Sequence, residues 1–159
     1  MGLLKLPICG GCFCGAVRYR ISAQPFAQAN CHCRACQHAT GGAYAPVLTV
    51  PTEAFEITGD YREHTSKGDS GEQVTRCFCE QCGTTIFAHT TRVKTMRPVY
   101  AITLDEVENF KPQLDAWVDF AQPWIVMDPD LPKYRGDLPA ECAGLPPPGN
   151  RRRRSPPEK

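Results

Sequence analysis

No apolar run in this chain approaches the length needed to cross a bilayer, and no recognisable address signal opens it. The start, Met-Gly-Leu-Leu-Lys-Leu-Pro-Ile-Cys, is too briefly apolar for a secretory signal, and no small-residue cleavage site follows. Gly2 fits a myristoylation motif only in part, because Leu6 stands where Ser or Thr is required. These absences lead to the expectation of a cytoplasmic protein without membrane association. A charge excess is also missing. The formal net charge is +1, and the last nine residues carry +4 of it, leaving −3 on the body. That balance argues against a basic nucleic-acid-binding face on the fold, so contact with nucleic acid is expected only through the tail. There is no internal repeat and no amphipathic run of three helical turns.

Cysteine, by contrast, is plentiful. Nine of the ten cysteines precede residue 83, in three groups. Structural disulfides are rare in the cytoplasm, so such groups are expected to bind metal. Cys12 and Cys14 follow Cys9 in the first group, and Cys79 and Cys82 follow Cys77 in the third. Each pair adjoins glycine (Gly11 and Gly15; Gly83), which permits a tight backbone turn. Cys12 and Cys14, two residues apart, would also point the same way from a strand. Two pairs make a closed four-thiolate set, the arrangement of structural zinc. The middle group, Cys31, Cys33 and Cys36, has no fourth cysteine nearby. Three protein ligands leave a position open, as in catalytic zinc sites. Alternatively His38 or His32, or one of Cys9, Cys77 and Cys142, closes that site. Cys77 reads as a buried small hydrophobe or a spare ligand.

Short strands at close spacing, with many Gly and Pro, predict a mainly β domain with few short helical turns. Strands are expected near 16–21, 44–50, 54–58, 61–65, 74–78, 84–90, 99–104 and 113–120, with a helical turn near 104–109. Gly41-Gly42 should end any helical turn after the central cysteines. Residues 1–9 read as a leader, 10–138 as the domain, and 139–159 as a Pro/Arg-rich tail unable to order.

Three motifs now stand together: Gly-Gly-Cys-Phe-Cys-Gly-Ala-Val-Arg-Tyr at 10–19, Cys-His-Cys-Arg-Ala-Cys at 31–36 and Phe-Cys-Glu-Gln-Cys-Gly at 78–83. With Thr103-Leu104-Asp105, Pro123-Trp124 and Asp130-Leu131-Pro132, they resemble the family that joins glutathione-dependent formaldehyde-activating enzymes with centromere protein V. The resemblance implies an Mss4-like, zinc-stabilised β-sheet fold. It implies a structural zinc on Cys12, Cys14, Cys79 and Cys82 and a catalytic zinc on Cys31, Cys33 and Cys36, two ions per chain. It also implies carbon–sulfur lyase chemistry on the adduct of a small thiol, such as glutathione, with a small aldehyde. The chain departs from the family at Ile102, commonly Gly, and at Asp115, often His.

For proton transfer the candidates are His32, His38 and Asp105, and for a substrate carboxylate Arg18, Arg34 and Arg76. Arg34 could also offset the negative charge of three thiolates around zinc. Trp117 and Trp124 are expected in the core. Two other functions compete. One is a non-catalytic zinc-stabilised binding module whose tail, Arg151 to Arg154, contacts an acidic partner. The other is a thiol redox protein, although the strand–helix context of such a Cys-x-x-Cys is missing. Nothing in the sequence indicates an oligomeric state.

Overall fold

The computed structural model describes residues 3–136, so the expected tail, with Cys142 and Arg151 to Arg154, lies outside the described residues. The described chain is mainly β. Its strands are β1 (Ile8–Gly11), β2 (Arg18–Ile21), β3 (Ala27–Cys31), β4 (Ala45–Pro51), β5 (Phe55–Thr58) and β6 (Tyr61–Lys67). They continue as β7 (Gln73–Cys79), β8 (Thr85–Thr90), β9 (Met96–Tyr100), β10 (Leu114–Ala116) and β11 (Lys133–Tyr134). One α-helix, α1 (Arg34–Thr40), follows the central cysteines and stops at Gly41, as the glycine pair requires. A small sheet has the order β1-β2-β5, and a large one the order β11-β10-β3-β4-β9-β8-β7-β6. β10 runs parallel to both its neighbours. No helix among the described residues is long and apolar enough to cross a membrane.

The core draws on both sheets. Ile21 from the small sheet and Val17 from the turn before β2 pack with Leu48, Val50, Ile86, Phe87 and Val99 from the large sheet. An aromatic chain runs through it: Tyr19 stacks on Phe55 at 5.4 Å, and Phe55 meets Phe87 at 5.0 Å. The Thr-Leu-Asp motif serves this packing. Thr103 bonds the buried Tyr19 hydroxyl at 2.9 Å, Leu104 is in the core, and Asp105 pairs with Arg18. Between β5 and β6 the chain passes so close to Ala16 that a Cβ on Gly59 would lie 2.0 Å from the Ala16 carbonyl oxygen. Gly59 also has φ +91°, which side chains on L residues resist. Gly59→Ala should therefore destabilise the fold by about 2–4 kcal/mol, from strain and clash together. Urea denaturation checks this; an unchanged midpoint would mean that the turn can move away at no cost.

Three segments differ from the sequence expectation. β3, Ala-Gln-Ala-Asn-Cys, has no β-branched or aromatic residue to announce it. It is held between β4 and β10 and tied to the adjoining loop at one residue: the Gln28 Oε1 accepts from Lys111 N at 3.0 Å, and the Gln28 backbone N donates to Gln113 Oε1 at 3.1 Å. The alternation from Gln113 to Phe120 predicts one strand, but β10 covers only three residues. The backbone turns at Trp117, with φ +60°, into a single helical turn at Val118–Phe120. There the Phe120 carbonyl accepts from Gln37 Nε2 at 2.9 Å instead of from a strand neighbour. Likewise the expected strand over 99–104 ends at Tyr100 and gives way to a helical turn at Ala101–Thr103.

Candidate metal centres

Cys12 and Cys14 lie in the turn between β1 and β2, not on a strand, so a turn and not strand alternation brings them together. Cys12 N donates to Val17 O at 3.0 Å and Gly15 N to Cys12 O at 3.1 Å. The second turn repeats the design: Gly83 N donates to Cys79 O at 2.9 Å and Cys79 N to Thr84 O at 3.0 Å. Thr84 joins the two turns, its hydroxyl accepting from Phe13 N at 3.2 Å. The same hydroxyl stands 3.2 Å from the Cys82 sulfur, and hydrogen bonding from Thr84 pulls that thiol down to about 5. The four sulfurs of Cys12, Cys14, Cys79 and Cys82 all lie within 4.8 Å of one another. Sulfurs around a tetrahedral ion with 2.3 Å bonds stand about 3.8 Å apart. Cys12 to Cys14 is 3.5 Å and Cys14 to Cys79 is 3.7 Å, so the set fits such an ion.

Cys31 ends β3, and Cys33 and Cys36 begin α1, which puts three sulfurs within 4.8 Å. Cys33 caps the helix: its sulfur accepts from Cys36 N at 3.3 Å. Protons are unequally shared among the three. Hydrogen bonds from Cys31 and Cys33, reinforced by Arg76, hold Cys36 well below the ordinary thiol range, while hydrogen bonding with Cys33 and Cys36, together with burial, pushes Cys31 well above it. Among the described residues, no histidine, carboxylate or further cysteine joins them within 4.8 Å.

Neither histidine that could have closed this set does so. His32 is buried with its Nε2 3.3 Å from Asp115 Oδ1, and Asn30 Nδ2 donates to the same oxygen at 3.0 Å. The departure from the family at Asp115 thus places a buried carboxylate beside His32. His38 is exposed on α1, 3.4 Å from Arg34. Cys77 is buried among Glu63 and His89, and Cys9 lies on β1 outside both sulfur groups.

The three thiols open on a cavity of about 220 Å³, whose other walls include Arg76, Met96, Pro98, Tyr100 and Trp117. Of the three arginines considered for a substrate carboxylate, only Arg76 lines it. Arg18 pairs with Asp105, and Arg34 bonds Gln37 beside His38, so it is Arg76 and not Arg34 whose charge acts on the thiols. Arg76 Nη1 donates to Ser66 Oγ at 3.2 Å, and its Nε is buried without a protein partner. Asp105 is not in the cavity wall. Trp117 packs half-buried against the small core cluster of Ala29, Leu114 and Ala116 and also lines the cavity, whereas Trp124 is not a core residue and is 70% exposed. The far wall, with Tyr100, Met96 and Pro98 on β9, had no sequence signal, because strand order alone brings it opposite the cysteines.

Residues 7–120 match the sequence profile of the glutathione-dependent formaldehyde-activating enzyme family. A Halomonas elongata protein, provisionally named a glutathione-dependent formaldehyde-activating enzyme, is 31% identical over 106 residues, which are 60% of this chain and 64% of that protein. The chain thus spans 64% of the length of this curated relative. A crystal structure of a Rhodobacter sphaeroides protein matches with a TM-score of 0.51 at 14% identity, covering 79% of this chain and 98% of that one, a likeness of fold alone. With the profile running from the first strand through both cysteine centres to Phe120, the chain belongs to the glutathione-dependent formaldehyde-activating enzyme family.

Proposed function

We propose that the chain is a cytoplasmic, zinc-dependent enzyme that makes or breaks the carbon–sulfur bond between a small thiol and a small aldehyde, such as glutathione and formaldehyde. The observation that carries this reading is a three-thiol set, with no fourth protein donor among the described residues, at the wall of a cavity. Cys12, Cys14, Cys79 and Cys82 would hold a structural zinc, and Cys31, Cys33 and Cys36 a second, catalytic one. When bound at the second set, zinc supplies a Lewis acid able to lower a thiol's pKa and polarise a carbonyl oxygen.

In the forward direction the thiol sulfur attacks the aldehyde carbon. The carbon–sulfur bond forms, the carbonyl π bond becomes a hydroxyl, and the thiol proton ends on that oxygen. The lyase direction is the reverse. The chain's own residues bind and orient. Val47, Met96 and Pro98 give the cavity apolar walls that hold water back. Arg76 is the cationic group beside the thiols, offsetting their negative charge, and its unpartnered Nε can receive a carboxylate of the thiol substrate.

The test is turnover of glutathione and formaldehyde, in both directions, by zinc-loaded protein. Arg76→Gln should raise KM for the thiol by about 10- to 100-fold, as expected for one charge-assisted hydrogen bond, with zinc content unchanged. Wild-type kinetics in the variant would remove Arg76 from the binding site. Absence of turnover by wild type with any small thiol and aldehyde would overturn the proposal.

A further inference from the structure

A third convergence of metal-binding side chains lies outside both cysteine centres. Glu63 on β6, Cys77 on β7 and His89 on β8 each offer one donor atom, and the three atoms lie within 4.8 Å of one another. The register explains how they meet. Glu63 stands directly across from Cys77, and Cys77 directly across from Phe87. His89 is two residues beyond Phe87, so it projects from the same face of the sheet. Cys77 Sγ is 3.6 Å from Glu63 Oε1, and His89 Nε2 is 3.5 Å from the same oxygen. Arg76, one residue from Cys77, points to the opposite face and lines the cavity with Val74 and Ala88. The cluster and the cavity are therefore back to back, separated by the thickness of one sheet.

We propose that Glu63, Cys77 and His89 form a third site, for a divalent transition-metal ion of the zinc class. The donor set is one thiolate, one imidazole and one carboxylate, all ordinary zinc ligands and selective against hard cations such as calcium or magnesium. Its two anionic ligands neutralise a divalent ion. Burial and the Glu63 carboxylate push the Cys77 thiol up to about 12, against the single positive charge of Arg97, which lies over the Phe55 and Phe87 rings, so an ion must displace the thiol proton to bind. Without an ion, the Cys77 thiol donates to the Glu63 oxygen that also faces His89, and binding an ion would replace that proton and turn all three donors to one centre. The exposures differ in a way that suits a reversible site. Cys77 is fully buried, whereas the side chains of His89 and Glu63 are 41% and 50% exposed. The ion would sit at the surface on one fixed sulfur anchor and two arms able to swing, free to exchange with solvent.

Cobalt(II) tests this on the full chain with its other cysteine centres zinc-loaded, read by thiolate-to-cobalt charge-transfer absorption and by bound metal per chain. His89→Ala and Glu63→Gln change surface-exposed side chains and leave the core intact. Wild type should bind one cobalt more than His89→Ala, and each variant should weaken that binding by more than about 100-fold, beyond the loss of an outer-shell partner. The extra absorption should also vanish in Cys77→Ser, which assigns the sulfur. Turnover at the cavity should be unchanged in His89→Ala. Equal cobalt stoichiometry and affinity in wild type and His89→Ala would overturn the site, as would a third ion retained equally by Glu63→Gln.

Discussion

Cys33→Ser is expected to lower turnover by at least about 10³-fold while the chain stays folded. The size follows from removing a Lewis acid that contributes several kcal/mol to charge development, at about 1.4 kcal/mol per decade of rate. That the fold survives follows from the geometry. Cys33 is the N-cap of α1, and its sulfur accepts from Cys36 N. Serine is among the best residues for that position and keeps an acceptor there, so the helix retains its start. What it cannot supply is a thiolate. Metal analysis and steady-state kinetics on the same preparation separate the two effects. The variant should lose the metal of the central set and keep that of the four-thiol set, with an unchanged far-ultraviolet spectrum. Turnover equal to wild type in a variant that has lost that metal would show that the central set plays no part in the chemistry.

The four-thiol set should give the opposite outcome, a loss of folding. Structural zinc in small domains is worth about 10–16 kcal/mol, against a total stability of about 5–15 kcal/mol for a domain. Here the four sulfurs tie the β1–β2 turn to the β7–β8 turn, and so the small sheet to the large one. Two of them, Cys12 and Cys79, belong to the core cluster itself. Cys79→Ser, or prolonged exposure to a strong chelator, should therefore remove cooperative thermal unfolding altogether or lower its midpoint by tens of degrees. Circular dichroism with and without chelator measures it. A melting curve indifferent to chelation would mean that the four thiols are packed without an ion and that hydrophobic burial alone joins the sheets.

The two cysteine groupings were legible because neighbours in sequence are easily brought to one point. Cys12 with Cys14, Cys79 with Cys82 and the run 31–36 each lie within a few positions, and their sulfurs meet in space in those same groups. The mainly β architecture was legible for a similar reason, since alternation and turn residues act locally. What stayed hidden depends on partners far along the chain. β3 has no strand-forming residues and is held between β4 and β10, with ties to Gln113 and Lys111. Trp117 leaves its strand in a conformation that a run of alternating residues cannot announce. Arg76 stood among three equal candidates until strand order put it alone against the thiols. Glu63 and His89 drew no notice at all, because two antiparallel registers must be known before they fall beside Cys77.

The placement of the two cysteine centres also bears on the order in which the molecule is built. The central set occupies one stretch, from the end of β3 to the first turn of α1. A nascent chain carries all three of its sulfurs as soon as that stretch leaves the ribosome. The other set cannot close until Cys79 and Cys82 have been made, and Cys14 waits 65 positions for Cys79. By then β2 to β7 have been synthesised and must already lie in register for the turns to meet. Local closure is fast and long-range closure slow, so a metal ion taken up during synthesis would meet the central three sulfurs first and the four-sulfur set last.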